Sequence, residues 1–238
     1  MVGIARSYRA FAIFGSRTVG SLGEWRAALP LRGPRRGAIA VSMASPTISI
    51  FARLPVPGKA KTRLIPAIGE EGAARVYARL LNHTVAQVEA SGLPFELRVT
   101  GGEMAAFGEL FGKDVRVVEQ GDGDLGARMV RVDAPAIIIG SDCPAVTPEL
   151  FRVAARELAE RDVVIGPASD GGYYLIGLAR PMPFLFAEME WSTETVFPET
   201  LARLAVRGIG PAVLPELDDI DTPDDLARWP DFAAASNS

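Results

Sequence analysis

From residue 47 onward, short apolar runs alternate with longer stretches of helical period. Thr47–Arg53, Phe95–Thr100, Val115–Glu119, Ala136–Ile139, Asp162–Pro167, the run ending at Leu178, and Ala212–Leu217 read as strands. Between them the pattern predicts helices over Glu70–Ser91, Glu103–Phe111, about 125–132, Pro148–Arg161 and a segment ending near Arg207. In the first of these, Ala73, Val76, Leu80, Thr84 and Val88 share one stripe, and Gly92 closes it. Strands alternating with helices predict an α/β fold: a three-layer, Rossmann-like domain whose central, mostly parallel sheet is flanked by helices.

Ala136–Ile139 is apolar at every position, with no alternation, as in a strand covered on both faces. It stops at Gly140, and Ser141 and Asp142 follow at its carboxyl end before Pro144 ends the strand. Ligands of open α/β sheets bind just outside the carboxyl ends of the strands. A carboxylate there can ligate a phosphate-carrying divalent cation. It can equally cap the turn that follows.

The loop after the first strand holds four cations within eleven residues: Arg53, Lys59, Lys61 and Arg63. Pro55, Pro57 and Gly58 stiffen it, which suits a phosphate site better than a merely solvated basic loop. It is not a Walker A loop, because G-x-x-x-x-G-K-[ST] is absent. Gly121 to Gly126 form a Gly/Asp loop that permits close ligand approach. Asp170-Gly171-Gly172 reads either as a carboxylate beside an open backbone platform or as a tight Asp-Gly turn. Ser192 or Thr193 is a candidate helix cap. Thr222-Pro223-x-Asp225 is a helix start, preceded by Asp218, Asp219 and Asp221. Acids that close need a cation or a basic partner.

Composition narrows the chemistry. With 48% hydrophobic and 23% charged residues the 238-residue chain is of globular type. Its single cysteine excludes an internal disulfide, and its single histidine, His83, excludes a multi-histidine metal site. A net charge of −4 disfavours nucleic acid as a partner. No apolar run reaches a membrane span. Residues 1–42 differ: seven arginines against Glu24 give +6, leaving −10 for the remainder. They read as an irregular extension, either a presequence or the product of an upstream start codon before Met43. The expected organisation is extension 1–42, one domain over 43–230, and a disordered tail over 231–238.

Six ordered motifs carry a resemblance: Pro57-Gly-Lys-x-Lys-Thr-Arg-Leu64, Gly123-Asp-Leu-Gly-x-Arg-Met129, Ile139-Gly-Ser-Asp-Cys-Pro144, Gly166-Pro-x-x-Asp-Gly-Gly-Tyr-Tyr-Leu-Ile-Gly-Leu178, Trp191-Ser-Thr193 and Asp219-Ile-Asp-Thr-Pro-x-Asp-Leu226. Together they resemble the bacterial GT-A-type glycosyltransferases that include the arsenosugar-biosynthesis group, in a superfamily that also holds nucleotidyltransferases. The resemblance spans residues 47–229. It implies a GT-A domain and an NDP-sugar-dependent glycosyltransferase, with nucleotidyl transfer from an NTP, or nucleotide binding without turnover, as alternatives. It places Asp142, Asp221 and Asp219 on Mg²⁺ or Mn²⁺. Arg53, Lys59, Lys61, Arg63, Gly123, Asp124 and Arg128 fall on the nucleotide side. Gly171, Gly172, Trp191, Ser192 and Thr193 fall on the substrate side, and Asp170 is a catalytic candidate beside Asp142. The expected partners are a nucleotide-sugar or NTP and a small acceptor, in a cytoplasmic protein for which a homodimer stays open. The chain departs from the pattern in residues 1–42 and in a short segment between Arg128 and Pro135, where relatives carry a longer helix.

Overall fold

The computed structural model describes residues 12–14, 17–19, 45–112 and 114–234. Within the extension expected to be irregular, β1 (Ala12–Phe14) and β2 (Arg17–Val19) pair antiparallel. The choice between presequence and upstream start lies outside the described residues.

Seven strands form the main sheet: β3 (Thr47–Arg53), β4 (Phe95–Thr100), β5 (Val117–Glu119), β6 (Ala136–Ile139), β7 (Val163–Pro167), β8 (Tyr173–Leu178) and β9 (Ala212–Val213), in the order β5-β4-β3-β6-β8-β7-β9. β3 pairs parallel with β4 and β6, β4 with β5, and β7 with β9. Only β8 runs antiparallel, between β6 and β7. The fold is thus α/β with a mostly parallel sheet, and β3 and β6, its central pair, deliver the basic loop and Asp142 to the same edge.

The main helices are α1 (Ile65–Ser91), α2 (Met104–Phe111), α3 (Leu125–Met129), α4 (Pro148–Glu160), α5 (Val196–Val206), α6 (Pro223–Ala227) and α7 (Pro230–Ala233). α1 is broken at Gly69, whose φ of 74° and ψ of 171° are not helical, so the long helix starts where the periodicity places it, at Glu70. A short turn over 65–68 precedes it. α4 carries Pro148 in its first turn and Thr147 as its cap, with Leu150 N donating to Thr147 Oγ1. Among the described residues no helix is long and apolar enough to cross a membrane.

Core packing lies on both faces of the sheet. Ile48, Ile50, Leu97, Ile137 and Ile139 meet Leu81, Val85 and Phe151 on one face; Ile138, Ile165 and Ile176 meet Leu185, Phe197 and Leu204 on the other. A third cluster joins Leu64 of the basic loop, Val76 and Leu80 of α1, Ile220 of the acidic segment, Leu226 and Phe232. This corrects the expected tail: Pro230–Ala233 is helical and Phe232 is 7% exposed. Its Pro, Asp and Ala suggest disorder, but Phe232 has an apolar site to fill against α1, where its ring also meets His83 edge-on. Residues 235–238 of that tail lie outside the described residues.

Candidate active site

Lys61 is the centre of the site. Its Nζ lies 2.6 Å from Asp221 Oδ1 and 3.1 Å from Asp142 Oδ1. The side chain is only 6% exposed, whereas those of Asp142 and Asp221 are 42% and 36% exposed. Burial alone would lower its pKa, but the two carboxylates outweigh that and raise it well above the ordinary lysine value. Asp142 Oδ1 is itself buried and, beyond this ion pair, has no hydrogen-bond partner.

Local chemistry explains the convergence. Lys61 adopts the left-handed conformation, φ 48° and ψ 47°, uncommon for a residue with a side chain. The turn Thr62–Leu64 follows it, with Leu64 N donating to Lys61 O and the Leu64 side chain fully buried. On the opposite wall, Ile220 N donates to Asp142 O, which pins the acidic segment to the end of β6. Thr222 and Asp225 then form a reciprocal capping box on α6, and Asp221 N also donates to Asp225 Oδ2. Asp225 is held below the usual carboxylate range: burial opposes this, but the hydrogen bonds from Thr222 and Asp221 prevail.

A pocket of about 540 Å³ opens here, lined by Arg53, Lys59, Ala60, Lys61, Thr62, Arg63, Tyr77, Asp142, Ser192 and Asp221. The four cations of the loop therefore face one pocket with two carboxylates. Arg63 Nη1 lies 3.4 Å from Asp221 Oδ2, and Arg53 Nη1 donates to Lys59 O. A second hollow of about 560 Å³, between Leu54–Pro57, α1 and α2, shares no residue with it and lacks a comparable carboxylate–ammonium cluster.

Tyr77 belongs to this site but was not singled out in the sequence, and its partner is Ser141, which the sequence places beside Asp142 at the strand end. Tyr77 O–H accepts from Arg53 N and shares a hydrogen bond with Ser141 Oγ, 2.9 Å away. Burial and the charge of Asp142 push its pKa up, so it stays a neutral phenol. Tyr77 sits beside Val76 on the stripe of α1 and reads as core. The available signal is that a buried tyrosine hydroxyl needs a partner.

Other candidates are placed around this centre. Asp219 neighbours Asp221 and Asp170, and its pKa is pushed up to about 6 by burial and then by those two acids. Asp170 Oδ1 accepts from Gly172 N, so the Asp-Gly-Gly stretch is a tight turn between β7 and β8. Gly171, φ 92°, is required by packing: a Cβ there would lie 2.5 Å from Glu194 Cα. Ser192, φ 65°, lines the pocket, but neither it nor Thr193 caps α5. The helix begins later, after Thr195, and Thr193 Oγ1 donates to Glu190 O instead. Trp191 packs against Tyr173 and Phe186, and its indole closes over Gly126, where a Cβ would meet it at 3.0 Å.

Gly123, Asp124 and Arg128 do not line the Lys61 pocket. Asp124 caps α3 through Ala127 N, and Arg128 Nε donates to Gly123 O. Gln120 fastens this loop to the sheet: its Nε2 donates to Ala52 O and Arg98 O, and its Oε1 accepts from Arg128 Nη1 at 3.3 Å. Cys143 is buried beside the site, its thiol pushed well up by burial and then by Asp219 and Asp142. Among the described residues no group of three His, Cys, Asp or Glu side chains is assembled for a metal ion.

The family described as "Uncharacterized protein conserved in bacteria (DUF2064)" matches residues 84–193. Comparison with curated proteins gave no match. Among solved structures, a Desulfovibrio desulfuricans G20 protein proposed as a nucleotide-diphospho-sugar transferase is 29% identical, covers 77% of this chain and 85% of its own, and superposes with a TM-score of 0.72. The bifunctional IspDF from Campylobacter jejuni (12% identity, 78% and 54% coverage, TM-score 0.53) is similar in fold alone. So is 4-diphosphocytidyl-2C-methyl-D-erythritol synthase from Anaerococcus prevotii DSM 20548 (12%, 80% and 100%, 0.50). The chain is thus similar to the DUF2064 family over residues 84–193, and the likeness of its sheet and flanking helices gives one conclusion: it belongs to the nucleotide-diphospho-sugar transferase superfamily.

Proposed function

We propose that the domain over residues 43–230 is a metal-dependent transferase that takes a nucleotide-activated donor, moving a sugar from an NDP-sugar to a small acceptor. The observation that carries this reading is the Lys61 pocket, where four loop cations face Asp142 and Asp221 at the carboxyl end of the central strands. The 29% identical Desulfovibrio protein, proposed as a nucleotide-diphospho-sugar transferase, supports it.

The residues fit a divalent cation. Asp142 presents a buried oxygen without a hydrogen bond, and Asp221 is directed at the same ammonium group. Asp142 and Asp221 would hold Mg²⁺ or Mn²⁺, with Asp219 adjacent. When bound, the ion supplies positive charge across the diphosphate. Arg53, Lys59 and Arg63, exposed around the pocket, bind phosphate oxygens. They stabilise the charge that grows on the leaving nucleoside diphosphate as its bond to the sugar breaks. Asp170, with one oxygen held by Gly172 N, is the candidate to take the proton of the acceptor hydroxyl as that oxygen attacks the sugar carbon.

Nucleotidyl transfer is the second reading, and the pocket's charge favours it. Four cations against two carboxylates, joined by a dication, match the four negative charges of a triphosphate better than a diphosphate ester. The test is incubation with NDP-sugars and, separately, with NTPs and phosphorylated acceptors. Donor-dependent release of nucleoside diphosphate supports sugar transfer; release of pyrophosphate supports nucleotidyl transfer. Neither product across the whole donor panel overturns the assignment as a transferase.

A further inference from the structure

Lys61 occupies the place a divalent cation would need. A small divalent cation held by Asp142 and Asp221 would need their oxygens at about 2.0–2.1 Å. The ammonium nitrogen already stands 2.6 and 3.1 Å from one oxygen of each. Two cations cannot share that space in a partly desolvated site, because their repulsion is weakly screened there. A metal ion therefore binds only after the Lys61 side chain swings off the carboxylates.

Its alternatives are few. The side chain is 6% exposed, and among the described residues the only carboxylates lining the pocket are Asp142 and Asp221. The other charged groups lining it are Arg53, Lys59 and Arg63, all cations. The loop does not readily move as a whole, because Leu64 is fully buried and its N–H donates to Lys61 O. Asp219, the further carboxylate that feels the Lys61 charge, stands beside the metal carboxylates but outside the pocket lining, so a phosphate oxygen entering the pocket is the anion a displaced Lys61 meets there.

We infer that Lys61 is a resident counter-ion that makes metal and diphosphate bind as a linked pair: the metal takes the carboxylates from Lys61 while the phosphate takes Lys61. This rests on the reading of the pocket as a metal–diphosphate site. Each ligand then raises the other's affinity by the same factor, about tenfold or more. Removing the ammonium breaks the link: Lys61→Met frees the carboxylates for metal and leaves the diphosphate without its partner.

The test is a binding cycle followed by the paramagnetic signal of free Mn²⁺, with UDP, GDP, CDP, ADP and dTDP each in turn. Wild-type protein is expected to bind Mn²⁺ weakly alone and at least about tenfold more tightly with the nucleotide it accepts. Lys61→Met is expected to bind Mn²⁺ more tightly than wild type when no nucleotide is present, and to lose most of the coupling. The ion couples the two ligands by itself where it crosses the diphosphate, so the part due to Lys61 is what Lys61→Met loses relative to wild type; Lys61→Gln repeats the comparison if the methionine variant fails to fold, and coupling undiminished in the folded variant overturns the inference. Equal Mn²⁺ affinity with and without a bound nucleotide overturns the link while leaving the pocket's assignment intact. Absence of any nucleotide binding overturns that assignment, and the inference with it.

Discussion

Asp142 and Lys61 show how far single residues can be read. The strand pattern puts Asp142 at a strand end and the Pro/Lys run puts Lys61 in a basic loop. Neither says that the two meet, or that Asp221, 160 positions from Lys61, joins them. Gly171 has two readings, and the turn geometry favours packing: it is small because the Glu194 backbone lies against it. Tyr77 was hidden in an apolar stripe. Tyr77→Phe removes the acceptor of the part-buried Arg53 N and a partner of the buried Ser141 Oγ. It should cost about 1–3 kcal/mol, the penalty for an unsatisfied buried polar group. Urea denaturation of the variant checks this, and a midpoint equal to wild type would contradict the role given to the hydroxyl.

Most elements were legible because their signals are local. The strand bounds over 47–53, 95–100 and 136–139 follow directly from apolar runs. The cap Thr222 follows from its Thr-Pro pair. The start of α5 was misread, because Ser192 and Thr193 look like caps while Ser192 has φ 65° and is held in the pocket wall. The capping box of α6 matters for the site because it also receives Asp221 N. Thr222→Ala should cost about 1 kcal/mol in stability, read from thermal unfolding. Asp225 has a depressed pKa in the folded chain. Its contribution is therefore present above the unfolded value of about 3.9 and is lost as the pH falls through the folded one. Stability measured from pH 6 down to pH 3 should fall more steeply in wild type than in Asp225→Asn; equal slopes would remove this role.

At the scale of the whole molecule, the mostly parallel α/β sheet was legible, but its order was not. Nothing local marks β8 as the antiparallel strand, because β6, β7 and β8 are all apolar and buried. The third core cluster was also invisible, since it assembles Leu64, Ile220 and Phe232 from distant parts of the chain. That cluster ties the basic loop to the acidic segment and so holds Lys61 opposite Asp221. Phe232→Ala should cost about 3–5 kcal/mol, measured by chemical denaturation, if the buried ring leaves a cavity behind. Cavity formation there should also weaken nucleotide binding, although Phe232 does not line the pocket. The central claim is that the pocket at the ends of β3 and β6 binds a nucleotide through a metal held by Asp142. It is tested most directly by thermal shift of wild type and Asp142→Ala with nucleoside di- and triphosphates, with and without Mn²⁺. The expected result is stabilisation of wild type by about 2.7 kcal/mol at a hundred times the dissociation constant, dependent on Mn²⁺ and absent from the folded Asp142→Ala protein. Equal Mn²⁺-dependent stabilisation of both proteins would contradict it.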